Sequence, residues 1–298
     1  MNVLLTGSAG QLGTAIIYNK PDWVNLISTD KQNLDLSNEK ECRKVIDFYK
    51  PEWIINAGAY TNVELAEKNQ EEAFNVNSLA TEYLSHSIFD SQTKLLHIST
   101  DYVFDGENSI PYKPYDRPNP INIYGESKLA GEKNIQNILG NKNKAIILRS
   151  SWIISPYGNN FLTKFINLLK SKKEIKVVTD QISCPTSAIT LAKMCWQILI
   201  KEKQIYYLNK EDVPIFHCSD SGKASWYDLG KAIMEISFEK GIIKNKKSIL
   251  PIKSSEYHSL AIRPQFSLLC CKESFEKIDF KVNNWKDELY KNILKMLN

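Results

Sequence analysis

The stretch that most constrains this chain lies at its start. Asn2 to Thr6 reads Asn-Val-Leu-Leu-Thr, an apolar run without polar alternation, as expected of a parallel strand buried on both faces. It runs straight into Gly7-Ser8-Ala9-Gly10-Gln11-Leu12-Gly13, and the pattern then predicts a helix over Thr14 to Tyr18. Gly7 permits a tight turn, Gly10 lets backbone approach a diphosphate, and Gly13 lets the helix pack close to the strand. The helix N-terminus then faces the phosphates. A glycine triplet alone is a weak signal, but between a buried strand and a helix it marks a nucleotide-binding turn. The fold class that follows is α/β, with a doubly wound parallel sheet of the Rossmann kind.

Further strands continue the pattern. Val24 to Thr29 ends at Asp30, an acid about 20 residues past the glycine turn, where a carboxylate accepts from adenosine ribose hydroxyls. Lys31 follows and suits a 2′-phosphate, so the expected cofactor is NADH or NADPH, leaning to NADH. Asp35 suits the adenine edge or, equally, a plain turn, and Ser37 or Asn38 suits the cap of the next helix. Trp53 to Asn56 is a third strand running into Ala57-Gly58-Ala59-Tyr60-Thr61, whose small residues let backbone lie against a flat ligand. Leu95 to Ile98 is a fourth, ending in Ser99-Thr100-Asp101-Tyr102-Val103-Phe104. Ala145 to Leu148 is a fifth, leading to Arg149-Ser150-Ser151-Trp152. Functional residues of an open parallel sheet gather at such carboxyl ends. A hydroxyl among Ser99 and Thr100 is placed to bond a substrate oxygen, and the competing reading is a Ser/Thr/Asp turn.

Tyr124 and Lys128 stand four apart at the start of a helix read over Ser127 to Asn137. Residues i and i+4 share a helix face. A nearby ammonium stabilises a phenolate and lowers the Tyr pKa from about 10, which suits proton transfer near neutral pH.

Composition excludes several classes. A net charge of +4 with scattered lysines forms no nucleic-acid stripe. Cys42, Cys184, Cys195, Cys218, Cys270 and Cys271 show neither CxxC spacing nor a metal pattern, so no metal is expected and the thiols read as reduced and cytoplasmic. No basic-then-apolar leader precedes the first motif, and no apolar run reaches the roughly 20 residues that span a bilayer, so no membrane is expected.

Together the Gly7/Gly10/Gly13 turn, Thr100 and the Tyr124-x-x-x-Lys128 pair resemble the extended short-chain dehydrogenase/reductase family. More narrowly, the chain is similar nearly end to end to the dTDP-4-dehydrorhamnose reductases. The similarity is carried by Asn56 to Glu67, Ser99 to Phe104, Tyr124 to Glu132, Arg149 to Trp152, Gly158 to Phe161, Asp180-Gln181 with Pro185-Thr186, Ser225 to Asp228, and Arg263-Pro264 with Ser267. The resemblance implies reduction of the C4 keto group of a nucleotide-linked 4-keto-6-deoxysugar, dTDP-4-dehydro-L-rhamnose to dTDP-L-rhamnose. It implies that Gly10, Gln11 and Leu12 contact the cofactor diphosphate, that Asp30, Asp35 and Leu36 surround the adenosine, and that Ala59, Tyr60 and Thr61 line the nicotinamide side. Tyr124 would donate the proton, and Lys128 would hold the nicotinamide ribose and tune Tyr124. Thr100, Asp101, Tyr102 and Asn160 would contact the sugar nucleotide, and Trp152 would pack on the sugar. Arg263 suits the substrate diphosphate or, as readily, a structural ion pair. A homodimer is compatible with the resemblance. A magnesium-bridged one is not expected, because Ala15 and Ile189 stand where the family's glutamates would. The loop Asp180-Gln181-Ile182-Ser183-Cys184-Pro185 lacks the family's glycine, and Cys184 there reads as a packing thiol.

In the second half, helical spacing covers Phe161 to Ser171, Ile189 to Ile200, Trp226 to Lys240 (capped by Ser225) and Trp285 to Leu297. Ile205 to Leu208 and Phe216 to Cys218 read as short strands, and Leu250 to Ala261 as irregular. The resemblance implies a dinucleotide-binding domain over 1–154 and a smaller, mainly substrate-binding domain over 155–298, with about 188–209 returning to the main sheet. Rival functions are a nucleotide-sugar dehydratase, disfavoured because Tyr102 rather than an acid follows Asp101, an epimerase, and a non-catalytic subunit like the regulatory subunit of methionine adenosyltransferase.

Overall fold

The computed structural model describes residues 1–208 and 212–297. Strands β1 (Asn2–Thr6), β2 (Asn25–Ser28), β3 (Trp53–Asn56), β4 (Lys94–Thr100), β5 (Ala145–Ser150) and β6 (Ile215–Cys218) form one parallel sheet in the order β6-β5-β4-β3-β1-β2. Register pairs Leu4 with Ile54 and Ile27, so each apolar strand meets another apolar strand across the ladder. Side chains alternate between faces, and both faces are covered. Val3, Leu5, Ile55, Leu96 and Leu148 pack on one side against helices α1 (Gln11–Tyr18) and α5 (Ala188–Leu208). Leu4, Ile54, Leu95 and Ile147 pack on the other against α2 (Glu39–Tyr49), α3 (Ala80–Ile88) and α4 (Ile123–Leu139). The expected doubly wound parallel sheet is therefore the architecture found.

The second half builds a further apolar cluster. Leu162, Phe165 and Leu169 from the helix Phe161–Ser171 meet Leu229 and Ile233 from Trp226–Glu239, and Leu289 and Ile293 from Trp285–Lys295. Strands Glu174–Val178 and Ser248–Ile252 pair in parallel beside them.

Several boundaries differ from those the sequence suggests. Helix α4 starts at Ile123 rather than Ser127, because the Asn122 side chain accepts from the Gly125 N–H at 2.8 Å and caps the helix. Tyr124 and Lys128 therefore both lie within it. Asn38, not Ser37, caps α2, accepting from the Lys40 and Glu41 N–H groups. Ile205 to Leu208 is the last turn of α5 and not a strand. Ile205 repeats the seven-residue spacing of Leu191 and Ile198 and joins them in the same core, so the helical period wins over a short apolar run. Leu250 to Ile252 is strand rather than irregular, ordered by pairing with Lys176 to Val178. Phe216 to Cys218 belongs to β6, on the main sheet beside β5. Among the described residues, no helix is long and apolar enough to cross a membrane.

Candidate active site

The strand order reverses between β1 and β3, and a cavity of about 450 Å³ opens there beyond the carboxyl ends of the strands. It is lined by Gly7, Gly10, Gln11 and Leu12 after β1, Asp30, Lys31, Asp35 and Leu36 after β2, Ala59 and Thr61 after β3, and Tyr124 and Lys128 from α4. Gly7 has φ +66°, and a Cβ on it would lie 2.6 Å from Gly58 Cα. Gly13 sits beneath the cavity rather than on it, and a Cβ there would fall 2.2 Å from the Gly7 carbonyl oxygen. The turn is thus pressed against both α1 and the loop after β3, which any side chain at either glycine would prevent. Among the described residues no side chain caps α1, so its first N–H groups lack side-chain partners there, and the buried Gln11 Oε1 has none either. The free N–H groups fit the diphosphate of a dinucleotide.

The adenosine-side acids are partly committed already. Asp30 accepts from the Gln32 N–H at 2.9 Å. Asp35 accepts from the Ser37 hydroxyl at 2.7 Å and the Ser37 N–H at 3.0 Å, bonds that hold it below the usual carboxylate range. Asp35 is therefore a turn former that also faces the cavity. Lys31 is exposed and lies 3.7 Å from Glu72. Tyr60 is not brought to the cavity wall. Its N–H and carbonyl are clasped by the Asn77 amide at 2.8 and 3.0 Å.

On α4, the Lys128 amine is buried, donating to the Ile98 carbonyl at 2.7 Å and lying 3.2 Å from His97 Nε2. Burial pulls Lys128 down to about 8, against the opposing charge of Glu132. Burial pushes the Tyr124 phenol up to about 12, with the hydrogen bond between it and Thr100 pulling the other way. The expected lowering of Tyr124 by Lys128 is thus reversed, because desolvation dominates and the amine is turned to the sheet. A phenol held high stays protonated at neutral pH, which is the form a proton donor needs. Thr100 also accepts from the Tyr102 N–H at 3.2 Å, and the Tyr102 ring meets Tyr124 edge-on at 5.9 Å.

Of the expected sugar contacts, Thr100 and Tyr102 stand at Tyr124. Asp101 is buried and accepts from Ser267 at 2.5 Å, Thr100 at 3.1 Å and Ser183 at 3.4 Å, while burial pushes it up to about 7. It ties the end of β4 to two second-half loops. Asn160 is a correction. Its side chain caps the helix Phe161–Ser171, accepting from the Leu162 N–H and donating to the Ser155 and Tyr157 carbonyls, so its neighbours Gly158 and Asn159 reach the cavity instead. Arg263 forms the ion pair, with Glu64 at 2.5 Å, and also bonds Ser259 and the Tyr102 phenol. It lines a second cavity of about 800 Å³ with Gln181, Ser254 and Tyr257. Trp152, at φ 40°, stacks on Trp226 with ring centroids 3.6 Å apart, so one face of its indole is covered by protein. Cys184 is buried against the Asp220 carbonyl, a packing role.

Two features carried no signal in residue spacing. Glu132 and Arg149 form a buried bidentate pair at 2.8 and 2.6 Å, with Ser99 donating to Glu132 at 2.5 Å, so Ser99 is withdrawn from the reacting groups. The other is His97, under Lys128.

The family model described as "RmlD substrate binding domain" matches residues 1–298. A dTDP-4-dehydrorhamnose reductase of Aggregatibacter actinomycetemcomitans is 34% identical over 98% of this chain and 97% of its own length. A crystal structure of a dTDP-4-dehydrorhamnose reductase from Clostridium acetobutylicum superposes with a TM-score of 0.90 at 32% identity, covering 100% of both chains. One from Bacillus anthracis, in complex with NADP, gives 0.89 at 31% identity, covering 99% of both.

Proposed function

The chain belongs to the RmlD substrate binding domain family, and from that premise we propose that it is an NAD(P)H-dependent oxidoreductase. It reduces the C4 keto group of a nucleotide-linked 4-keto-6-deoxysugar, dTDP-4-dehydro-L-rhamnose, to dTDP-L-rhamnose. The observation that carries the reading is the meeting, at one cavity, of the uncapped α1 N-terminus with a buried Tyr-Lys pair on α4.

The nicotinamide dinucleotide supplies a hydride when bound. Gly10, Gln11 and Leu12 hold its diphosphate, and Asp30, Lys31, Asp35 and Leu36 flank its adenosine. Ala59 and Thr61 bound the nicotinamide side. Tyr124 Oη gives its proton to the sugar oxygen as negative charge develops there, and Thr100 hydrogen-bonds the phenol and fixes its aim. Lys128, itself 2% exposed, brings a positive charge to the same wall. Arg263 and Gln181 bound the second cavity, which has room for the sugar nucleotide's phosphates. On this assignment 1–154 hold the dinucleotide and most of 155–298 closes over the sugar, in a cytoplasmic enzyme.

The test is to supply purified protein with dTDP-4-dehydro-L-rhamnose and NADPH or NADH. Loss of reduced-nicotinamide absorbance with appearance of dTDP-L-rhamnose by NMR is expected. Tight nucleotide binding without turnover would favour the non-catalytic regulatory subunit instead.

A further inference from the structure

Behind Lys128 a chain of buried polar side chains crosses the sheet. Thr6 Oγ1 lies 2.7 Å from Asn56 Oδ1, Asn56 Nδ2 lies 3.1 Å from His97 Nδ1, and His97 Nε2 lies 3.2 Å from Lys128 Nζ. All four residues are 1–2% exposed, so each polar atom must find its partner inside the chain. Two proton patterns give each of its three contacts one donor and one acceptor without leaving an amine lone pair bare, as a neutral amine donating to a bare Nε2 would. In the first, Thr6 donates to Asn56, Asn56 donates to Nδ1, and the Nε2–H donates to an uncharged Lys128 amine. In the second, the Asn56 amide is turned over, Nδ1–H donates to its oxygen, and the bare Nε2 accepts from the Lys128 ammonium. A mixed pattern sets Nε2–H against the ammonium, two donors face to face, and is excluded in so dry a place.

We propose that His97 is a positioning residue that couples its ring tautomer to the charge on Lys128, the ammonium existing only with the Nδ1–H tautomer. The inference rests on the catalytic reading of Tyr124 and Lys128 and extends it to side chains beneath the sheet. When the ammonium discharges, the pair loses one proton to solvent. Nε2 then carries a proton facing the neutral amine, Nδ1 gives up its own, and the Asn56 amide turns to meet it. Burial places this event near pH 8 and holds the ring well below its ordinary value, so imidazolium plays no part. The other titratable groups around Lys128 are Tyr124 and Glu132 on α4. Glu132 supports the ammonium and is closed off by Arg149 of β5. From β1 and β3 only the uncharged Thr6 and Asn56 enter the chain.

The test begins with wild-type protein carrying ¹⁵N-histidine, its four histidines resolved by comparison with His97→Gln. At pH 7 the His97 Nε2 signal is expected to be that of an unprotonated ring nitrogen, with a change to Nε2–H as pH rises through about 8. A tautomer that stays constant between pH 6 and about 10 overturns the proposal, whatever the activity shows. In the second arm, kcat/KM for sugar reduction is followed against pH. His97→Leu, which removes the acceptor, should move the alkaline limb about one pH unit lower, the scale of one hydrogen bond to a charged group. His97→Gln, which keeps an acceptor near the amine, should return it. Equal displacement by both variants, or by neither, refutes the coupling. Absence of sugar reduction in the wild type would sink the catalytic reading alone, because the tautomer measurement still decides whether His97 follows Lys128. If His97→Leu fails to fold, the wild-type titration stands as the deciding result.

Discussion

Glu132→Ala should be among the most damaging single substitutions outside the reacting groups. Its carboxylate is 1% exposed and accepts two bonds from Arg149, itself 2% exposed, plus one from Ser99. Removing it leaves a guanidinium buried with the Pro114 carbonyl as its one acceptor among the described residues, beside the face of Phe104. Breaking a buried pair this way costs about 3–5 kcal/mol. For a chain of this size that is a loss of roughly 5–8 °C in melting temperature. The pair joins α4 to β5 directly behind Lys128, and Glu132 is the charge that opposes the lowering of Lys128, so turnover at alkaline pH should fall as well. Urea midpoints and thermal melts at pH 7 measure the stability loss. Replacing both partners with apolar residues of similar volume, Glu132→Leu with Arg149→Met, should recover more than half of it, because the expensive term is the stranded charge rather than the lost attraction. A single-variant cost under about 1 kcal/mol, or a double variant worse than the single, would refute the desolvation argument.

Tyr124→Phe should retain nucleotide binding and lose about 10²- to 10⁴-fold in kcat, the range of general acid catalysis; a loss under about tenfold would remove Tyr124 from that role. Lys128→Met should abolish most turnover yet stabilise the ligand-free protein, since a buried ammonium moved from 10.5 to about 8 represents up to about 3 kcal/mol. The unfolded chain binds the extra proton between those two values, so wild-type stability rises with pH across that window. The advantage of the methionine variant should therefore be full below about pH 8 and fade towards 10.5, and melts at pH 7 and 10 with equal differences would contradict it. Asp30→Ala should shift kcat/KM toward NADPH, and Lys31→Ala, whose side chain is exposed, toward NADH, the latter by less than about tenfold. A wild-type preference for NADPH above about a hundredfold would show that another basic residue holds the 2′-phosphate.

What the residues announced and what they concealed divides along the range of the interactions. The strand-turn-helix at Asn2 to Tyr18 is legible because strand burial, glycine geometry and helix start act within a few residues of one another, and the structure repeats it with the helix beginning at Gln11 rather than Thr14. The Tyr124–Lys128 spacing is legible for the same reason. What Lys128 faces is not, since His97 and Asn56 reach it only through the register of β4 and β3, over separations of 31 residues and more. Arg263 shows the same limit from the other side: it has the chemistry of a sugar-nucleotide contact and is claimed by Glu64, 199 residues away. Asn160 is claimed locally, by the first turn of the helix that the spacing starts at Phe161, so its capping role is open to a reading of the residues. Asp101 is held by hydroxyls 82 and 166 residues away. A polar side chain at a strand end is thus open to two uses, and its bonding partners decide between them. At this cavity those partners leave Tyr124 and the uncapped turn of α1 facing the opening, and they draw Ser99, Asp101 and Asn160 into the frame that holds it open.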